Sequence, residues 1–294
     1  MSVDAQTREA VVAEAISGIS HIATLPEITL RIIELVEDPD STAQDLHKVI
    51  SNDPALCSRI LKVVNSAFYG LPGQIGSINR AIVLLGLNAV KNIAIAASLA
   101  KLFRGGALTP DFNAKDLWGH SVATAVASRM LASVMKLGLA DEAFLAGLIH
   151  DIGIVVEIQY DRQKLIDVVS RLNPADGVPS ANMLELEEEI FGANHQDFGR
   201  GLCEKWKFPD SFAKVTGHHH RPLELPAESR TLVALVSVAD RIAGAIEGGF
   251  RLDWTSLDIP GELLEELNLT RDQVQQVIDK LPEQLDVAEH MMAG

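Results

Sequence analysis

The sequence predicts an all-α protein, and three observations lead to that prediction. Apolar residues make up 47% of the 294-residue chain, yet only 5% of residues are aromatic, and Ala, Ile, Leu and Val dominate the apolar set. This composition favours helices packed on helices over a β-sandwich. Apolar side chains also recur at helical spacing along most of the chain, and we assign no run of residues to a strand.

The first hundred residues are predicted to form six helices joined by short loops. Ser41 and Gln44 have the spacing of a capping box. Asp53-Pro54 combines an N-cap acceptor with the residue whose missing N–H is tolerated at a helix start. In order, the helices are predicted within 8–22, from a first turn at Pro26 to just before Pro39, after Ser41, from Pro54 to near Gly70, from Ser77 to Gly86, and over 87–103.

A glycine- and proline-containing stretch, RGGALTP over 104–110, is predicted to separate two parts of the chain. We expect an N-terminal helical part over 1–105, a second helical part over 106–250, and a C-terminal linker and helical tail over 251–294. The linker itself is assigned to Asp253–Pro260. Helices after the boundary are expected near 114–136, 141–149, 161–172, 180–190, 195–206, 209–217, 229–246, 261–267 and 270–291.

The charge of the chain restricts its partners. The formal net charge is −15, and no run of four or more Lys or Arg occurs. The electric field of this negative charge repels nucleic acid and anionic membrane surfaces, whose binding depends on basic side chains.

The sequence contains no obvious membrane or secretion signal. The most apolar stretch, 81–103, is interrupted by polar residues, and the N-terminus lacks the pattern of a signal peptide. Cys57 and Cys203 lie far apart in the sequence and form no CxxC pattern, so we expect no disulfide framework. Taken with the preceding observations, this predicts a cytoplasmic protein.

Histidines and aspartates at the ends or on the apolar faces of separate predicted helices are candidate metal ligands. Each one alone is an ordinary core or surface residue. Together they would bring imidazole and carboxylate groups towards an apolar interior, where an ionised carboxylate is costly unless it is paired or metal-bound. The set contains no thiolate, which disfavours a structural zinc cage. The candidates are His120, His150, Asp151, His195, His218, His219 and Asp240.

Two of these positions raise a geometric question. Adjacent residues on a helix point about 100° apart, so His150 and Asp151 can reach one metal only where the helix ends or bends, and Gly153 would allow that bend.

The triple histidine at 218–220 leaves open which imidazoles are ligands. We assign His218 and His219 as the pair, favour His219, and treat His220 as the extra residue.

The order of these residues resembles the HD superfamily of metal-dependent phosphohydrolases. More narrowly, residues 25–70 (LPEITLRIIELVEDPDSTAQDLHKVISNDPALCSRILKVVNSAFYG) and 78–93 (INRAIVLLGLNAVKNI) resemble the motifs of the HDOD (HD-related output domain) family. The resemblance covers about residues 20–250. It implies a bacterial, mostly regulatory protein with an N-terminal helical bundle followed by an HD-type helical domain. Many family members have lost the HD metal ligands, whereas this sequence retains them.

The sequence departs from the HD-GYP phosphodiesterases that hydrolyse cyclic-di-GMP. After the histidine pair those proteins continue with an acidic residue and a DGxGYP motif, where this chain reads HRPLELPAESR. We therefore expect no cyclic-di-GMP phosphodiesterase activity of that type.

Three functions are consistent with the residues. The first is a non-catalytic signalling module that binds a protein partner or a small phosphorylated ligand. The second is a hydrolase of a nucleotide or phosphodiester, in which two metals would activate water and Asp151 would bridge them. The third is oxygen chemistry at a di-iron site. Imidazole and carboxylate ligands favour Fe or Mn, with Zn, Ni or Mg also compatible, as one or two divalent ions. No nucleic-acid or membrane partner is expected, and the sequence does not predict an oligomeric state.

Overall fold

A computed structural model describes residues 5–19, 27–38, 40–66, 69–99, 102–103, 107–109, 112–174, 178–246 and 251–292. Most of these residues are helical, which confirms the all-α prediction. In the N-terminal part the helices are α1 (Ala5–Gly18), α2 (Glu27–Glu37), α3 (Ala43–Ser51), α4 (Pro54–Val64), α5 (Ile78–Leu85) and α6 (Leu87–Leu99).

The second part begins with a short antiparallel hairpin, β1 (Ala107–Thr109) and β2 (Phe112–Asn113), followed by further helices. These are α7 (Ala114–Val134), α8 (Ala140–Ile149), α9 (Ile152–Tyr160), α10 (Arg162–Leu172), α11 (Met183–Phe191), α12 (His195–Lys205), α13 (Asp210–His218), α14 (Arg230–Gly244), α15 (Gly261–Glu266) and α16 (Arg271–Met292). Two single-turn 3₁₀ helices, Pro222–Glu224 and Ala227–Ser229, connect α13 to α14.

The core is built around α7, which packs against α8, α14 and α16. Helix α12 packs against α9 and α13, and α1 covers α12 and α9 from outside. In the N-terminal part, α2, α4 and α5 pack on α6, and α6 packs in turn on α8. One cluster of buried apolar side chains therefore extends through both parts. The predicted domain boundary near residue 105 falls where 104–106 lie outside the described residues, and it stays a prediction.

The helices α3 and α4 begin at capping residues of the predicted types, but the capping box of α3 lies one residue later than predicted. Asp53 caps α4 with Pro54 as its first residue, as predicted. The capping box of α3, however, is formed by Thr42 and Asp45, one residue later than the predicted Ser41 and Gln44. Ser41 instead donates to the carbonyl oxygen of Leu35 at 2.7 Å and accepts from Lys91 Nζ at 2.7 Å. This residue therefore joins α2 to α6 and is not available as a cap.

Two elements were missed by the sequence analysis. Helix α9 (sequence IGIVVEIQY) has six of its nine residues buried, and its sequence shows no clear division into an apolar and a polar face. The strands of the hairpin are three and two residues long, too short for a recognisable pattern. The continuous stretch Ala140–Tyr160 is apolar and long enough to cross a membrane by composition, but most of it is buried inside the core.

Candidate metal centre

Five regions of the fold bring imidazole and carboxylate side chains to one place. They are the middle of α7, the junction of α8 with α9, the start of α12, the end of α13 and the middle of α14. Asp253, on the segment after α14, completes the set. We call these residues the His/Asp cluster: His120, His150, Asp151, His195, His219, His220, Asp240 and Asp253.

Asp151 lies at the middle of the cluster because the chain breaks helical continuity there. His150 is the C-cap of α8 and Asp151 is the N-cap of α9, so the adjacent side chains point to a common space. On one side, Asp151 Oδ2 lies 3.1 Å from His150 Nε2 and 3.8 Å from His120 Nε2. His120 Nε2 is also 3.0 Å from Asp240 Oδ1. These four residues form one candidate ligand group.

The other oxygen of Asp151 faces a second group. Asp151 Oδ1 lies 3.2 Å from His219 Nε2 and 3.8 Å from His195 Nε2. His220 Nε2 is 3.1 Å from His195 Nε2. One carboxylate thus separates two sets of ligands, which is the arrangement required of a residue that bridges two metal ions.

Three imidazole rings are held by hydrogen bonds on the side away from the cluster. His150 Nδ1 lies 2.7 Å from the carbonyl oxygen of Gly147, and His219 Nδ1 lies 3.1 Å from that of Val215. His195 Nδ1 lies 2.9 Å from Glu187 Oε2. Each partner is an acceptor, so Nδ1 carries a proton and Nε2 is the ring nitrogen that faces inward. This is the orientation that metal-binding histidines require.

The cluster is deeply buried, and its electrostatics follow from that. Burial alone would raise the pKa of Asp151, but the charge of His150 and the close contacts of its oxygens with the His150 and His219 rings outweigh burial and hold that pKa well below its ordinary value. Burial disfavours a charged His150, yet Asp151 and Asp240 raise its pKa well above the usual range. Burial, followed by His219 and His195, lowers the pKa of His220 well below the usual range. The cluster therefore favours charge on some of its imidazoles, such as His150, and disfavours it on others, such as His220.

The donor atoms of the cluster are arranged to coordinate a metal ion rather than to form hydrogen bonds with one another. Among the described residues, these atoms are buried and make no hydrogen bond of normal geometry: Asp151 Oδ1 and Oδ2, Asp240 Oδ1, His150 Nε2 and His219 Nε2. Leaving several such groups without partners costs roughly 1–3 kcal/mol each, and more when they are charged. A cation at their centre would remove this cost, and the nitrogen and carboxylate set suits Fe, Mn or Zn.

Small residues allow the helices that carry the ligands to approach closely. A Cβ at Gly153 would overlap the carbonyl oxygen of His195 and lie 2.8 Å from the backbone nitrogen of Gly199. A Cβ at Gly147 would lie 2.8 Å from the carbonyl oxygen of Thr124. The role assigned to Gly153 was therefore wrong. It keeps α9 against the start of α12, while the break between α8 and α9 occurs before it.

A family comparison covers most of the chain. The model of the HDOD domain family matches residues 22–222. The chain belongs to the HDOD family. An uncharacterized protein of Treponema pallidum (strain Nichols) is 24% identical over 249 residues, which are 84% of this chain. The chain spans only 47% of the length of that curated relative.

Solved structures share the same HDOD fold. An HDOD domain protein of unknown function from Geobacter sulfurreducens has a TM-score of 0.80 at 24% identity, covering 98% of this chain and 99% of that one. A candidate phosphohydrolase from Shewanella amazonensis SB2B has a TM-score of 0.74 at 22% identity over 97% and 99%. A candidate signal transduction protein from Marinobacter aquaeolei VT8 has a TM-score of 0.76 at 22% identity over 99% and 67%. At these identities the likeness shows the fold alone.

Six of the seven predicted HDOD ligands lie in the cluster, and His218 does not. His218 is the last residue of α13 and is only half-buried, with Arg200 and Arg221 as charged neighbours. His219, at the C-cap, points inward, and His220 follows the end of the helix and turns back to His195. The structure therefore does not bring His218 to the cluster, and His220 lies there instead. Which of these residues are metal ligands stays a prediction.

Three further residues of the site were missed because their sequence context gave no signal. Asp253 and Trp254 were assigned to a linker, but both are buried, and Trp254 Nε1 donates to Asp240 Oδ2 at 2.8 Å. Glu187 lies in the strongly acidic helix α11, where sequence alone does not distinguish it from surface glutamates. It holds His195, and burial together with the charge of Glu187 raises the pKa of neighbouring Glu157 well above its ordinary value.

Proposed function

We propose that this HDOD protein is a metal-binding regulatory module of the bacterial cytoplasm. Its His/Asp cluster holds one or two divalent ions inside the fold, with Fe or Mn favoured. The module acts by binding a signalling protein or a small phosphorylated ligand, and not by turning over a substrate. Nucleic acid and membranes are not its partners, in keeping with the net charge of −15.

The observation that carries this proposal is the near-complete burial of the cluster, in which only His220 is partly exposed. The side chains of His120, His150, Asp151, His195 and Asp240 are each 0% exposed. Structural metal sites are closed in this way, whereas catalytic sites keep a position open to water or substrate. Trp254 adds to the closure because its ring covers His220 at a centroid distance of 4.3 Å.

The packing of the N-terminal part gives a route from the metal to a partner surface. Helix α8 ends at His150, and α6 of the N-terminal part packs against α8. A metal bound at His150 would fix the C-terminal end of α8, and the packing contacts would carry that constraint to α6. The N-terminal helices are therefore the surface at which a partner protein would distinguish the metal-bound from the metal-free state.

Phosphohydrolase activity is the second candidate, favoured by the position of Asp151 between two ligand groups. His120, His150 and Asp240 would hold one ion, and His195 and His219 the other. Bound ions would supply Lewis acidity and an activated water. Such a reaction would require the segment that carries Trp254 to move, because that segment covers the site. Two structural relatives are named candidate phosphohydrolases, but their low identity supports only a shared fold.

The experiment combines metal analysis with a substrate screen on the full chain. We expect the protein to bind divalent metal and to leave cyclic-di-GMP and bis-p-nitrophenyl phosphate unhydrolysed. Turnover of about 1 per second or more, the lower part of the usual enzyme range, would replace the regulatory function with the hydrolase. A protein that binds no divalent metal would contradict both candidates.

A further inference from the structure

We infer that His220 and Asp253, together with Asp240, form a third metal subsite beside the two ligand groups of Asp151. The donors of these residues lie within 4.8 Å of one another. The inference rests on the proposed function in that it needs the cluster to hold metal. It adds ligands from the segment after α14, which the HD pattern of the sequence does not include.

Asp253 is the first reason for this subsite. Its side chain is 0% exposed, and within the described part of the chain neither carboxylate oxygen has a hydrogen-bond partner. The nearest basic atom is His220 Nε2, 3.5 Å from Asp253 Oδ2. A buried carboxylate in this state is costly unless it is protonated or a cation compensates it.

Two polar groups next to Asp253, the Trp254 indole and the Arg241 guanidinium, make their hydrogen bonds to other residues. The indole N–H of Trp254 donates to Asp240 Oδ2 at 2.8 Å and not to Asp253. The Arg241 guanidinium lies 3.6 Å from the centre of the Trp254 ring and donates to the carbonyl oxygens of Ser256 and Asp258, at 3.0 and 3.1 Å. These contacts fix the segment that carries Asp253, yet they leave its carboxylate facing the cluster.

His220 is the second reason. Its ring is held between His219, with centroids 4.4 Å apart, and Trp254, with centroids 4.3 Å apart. Nε2 is thereby directed into the space between His195 and Asp253. A nitrogen and two carboxylates suit a Mn or Fe ion, and Asp240 would be shared with the neighbouring group. The ligand is therefore a divalent cation of the same class as in the rest of the cluster.

The test counts Mn²⁺ bound at saturation by the metal-depleted full chain. Asp253→Asn keeps the shape of the side chain and removes its charge, and His220→Gln removes the imidazole. Each variant is expected to bind one equivalent fewer than the wild type. The matched control is Asp258→Asn, an exposed aspartate of the same segment, which should bind as many as the wild type.

The outcomes separate this inference from the proposed function. If either variant retains the wild-type count while His150→Ala/Asp151→Ala loses metal, the third subsite is wrong and the metal-binding module stands. If the wild type binds no Mn²⁺, Fe²⁺ or Zn²⁺, both are wrong. Circular dichroism shows whether each variant is folded. If one of Asp253→Asn and His220→Gln does not fold, the metal count of the other one tests the third subsite.

Discussion

Glu187 holds His195 through two hydrogen bonds, one to the ring and one to the backbone. His195 Nδ1 lies 2.9 Å from Glu187 Oε2, and the backbone N–H of His195 donates to the same oxygen at 3.0 Å. The carboxylate therefore fixes both the start of α12 and the tautomer that directs Nε2 towards Asp151. Neither residue is exposed to solvent.

Glu187→Gln should weaken metal binding without removing any ligand. The amide can still contact His195, but it cannot hold the ring with a negative charge, and losing such a partner usually costs 10–100-fold in metal affinity. The measurement is competition for metal against a chelator. Glu185→Gln, an exposed glutamate in the same helix, is the control. Equal affinities for the two variants would show that Glu187 does not position a ligand.

His219→Gln and His218→Gln should behave differently although the residues are adjacent. The first removes a buried nitrogen that lies 3.2 Å from Asp151 Oδ1, and the second removes a half-buried ring outside the cluster. We expect a loss of metal affinity of at least about tenfold for His219→Gln, equivalent to 1.4 kcal/mol, and little change for His218→Gln. Isothermal titration with Mn²⁺ measures both. A larger loss for His218→Gln would reverse the placement of the triple histidine.

The sequence favoured His219, but it did not predict that His220 lies in the cluster and His218 outside it, because that depends on the residue at which α13 ends. Most helices, with α9 as an exception, and the placement of His150, Asp151 and Asp240 could be predicted, since capping residues and an ionisable group on an apolar face leave a local signal. Asp253 and Glu187 leave none. One lies in a non-helical connection and the other among several glutamates, so only the tertiary packing shows that they are buried beside imidazoles.

Gly153→Ala should destabilise the protein by about 3 kcal/mol or more, towards or beyond the upper end of the usual cost of overpacking. The added Cβ would overlap the carbonyl oxygen of His195, so α9 and α12 would have to separate. Gly119→Ala is the matched control, because it lies in α7 beside His120 and its Cβ would meet nothing within 4 Å. That substitution should stabilise the helix by about 0.4–1 kcal/mol. Urea unfolding measures both, and similar stabilities would contradict the close contact.

The metal-free and metal-bound proteins should respond to pH in opposite directions. Burial disfavours a charged His195, but Glu187 and then Asp151 outweigh it and raise its pKa from 6.5 to about 9. The stability that this proton provides is fully present below pH 6.5 and is lost as the pH rises through about 9.

Metal must displace the same proton, so metal affinity should increase over this pH range. Melting temperatures of the metal-free protein and Mn²⁺ titrations between pH 6 and 9.5 measure the two effects. In Glu187→Gln the transition should move to lower pH. A metal affinity that does not change between pH 6.5 and 9 would count against His195 as a ligand.

The most direct measurement is the metal content of the wild type and of His150→Ala/Asp151→Ala after removal of metal and reconstitution with Mn²⁺ or Fe²⁺. The account predicts stoichiometric binding by the wild type, with a melting temperature that rises with metal concentration because the ion binds only the folded state. It predicts loss of both the metal and this rise in the double variant. A folded double variant that retains the full metal content would contradict the central claim that the His/Asp cluster is a metal centre.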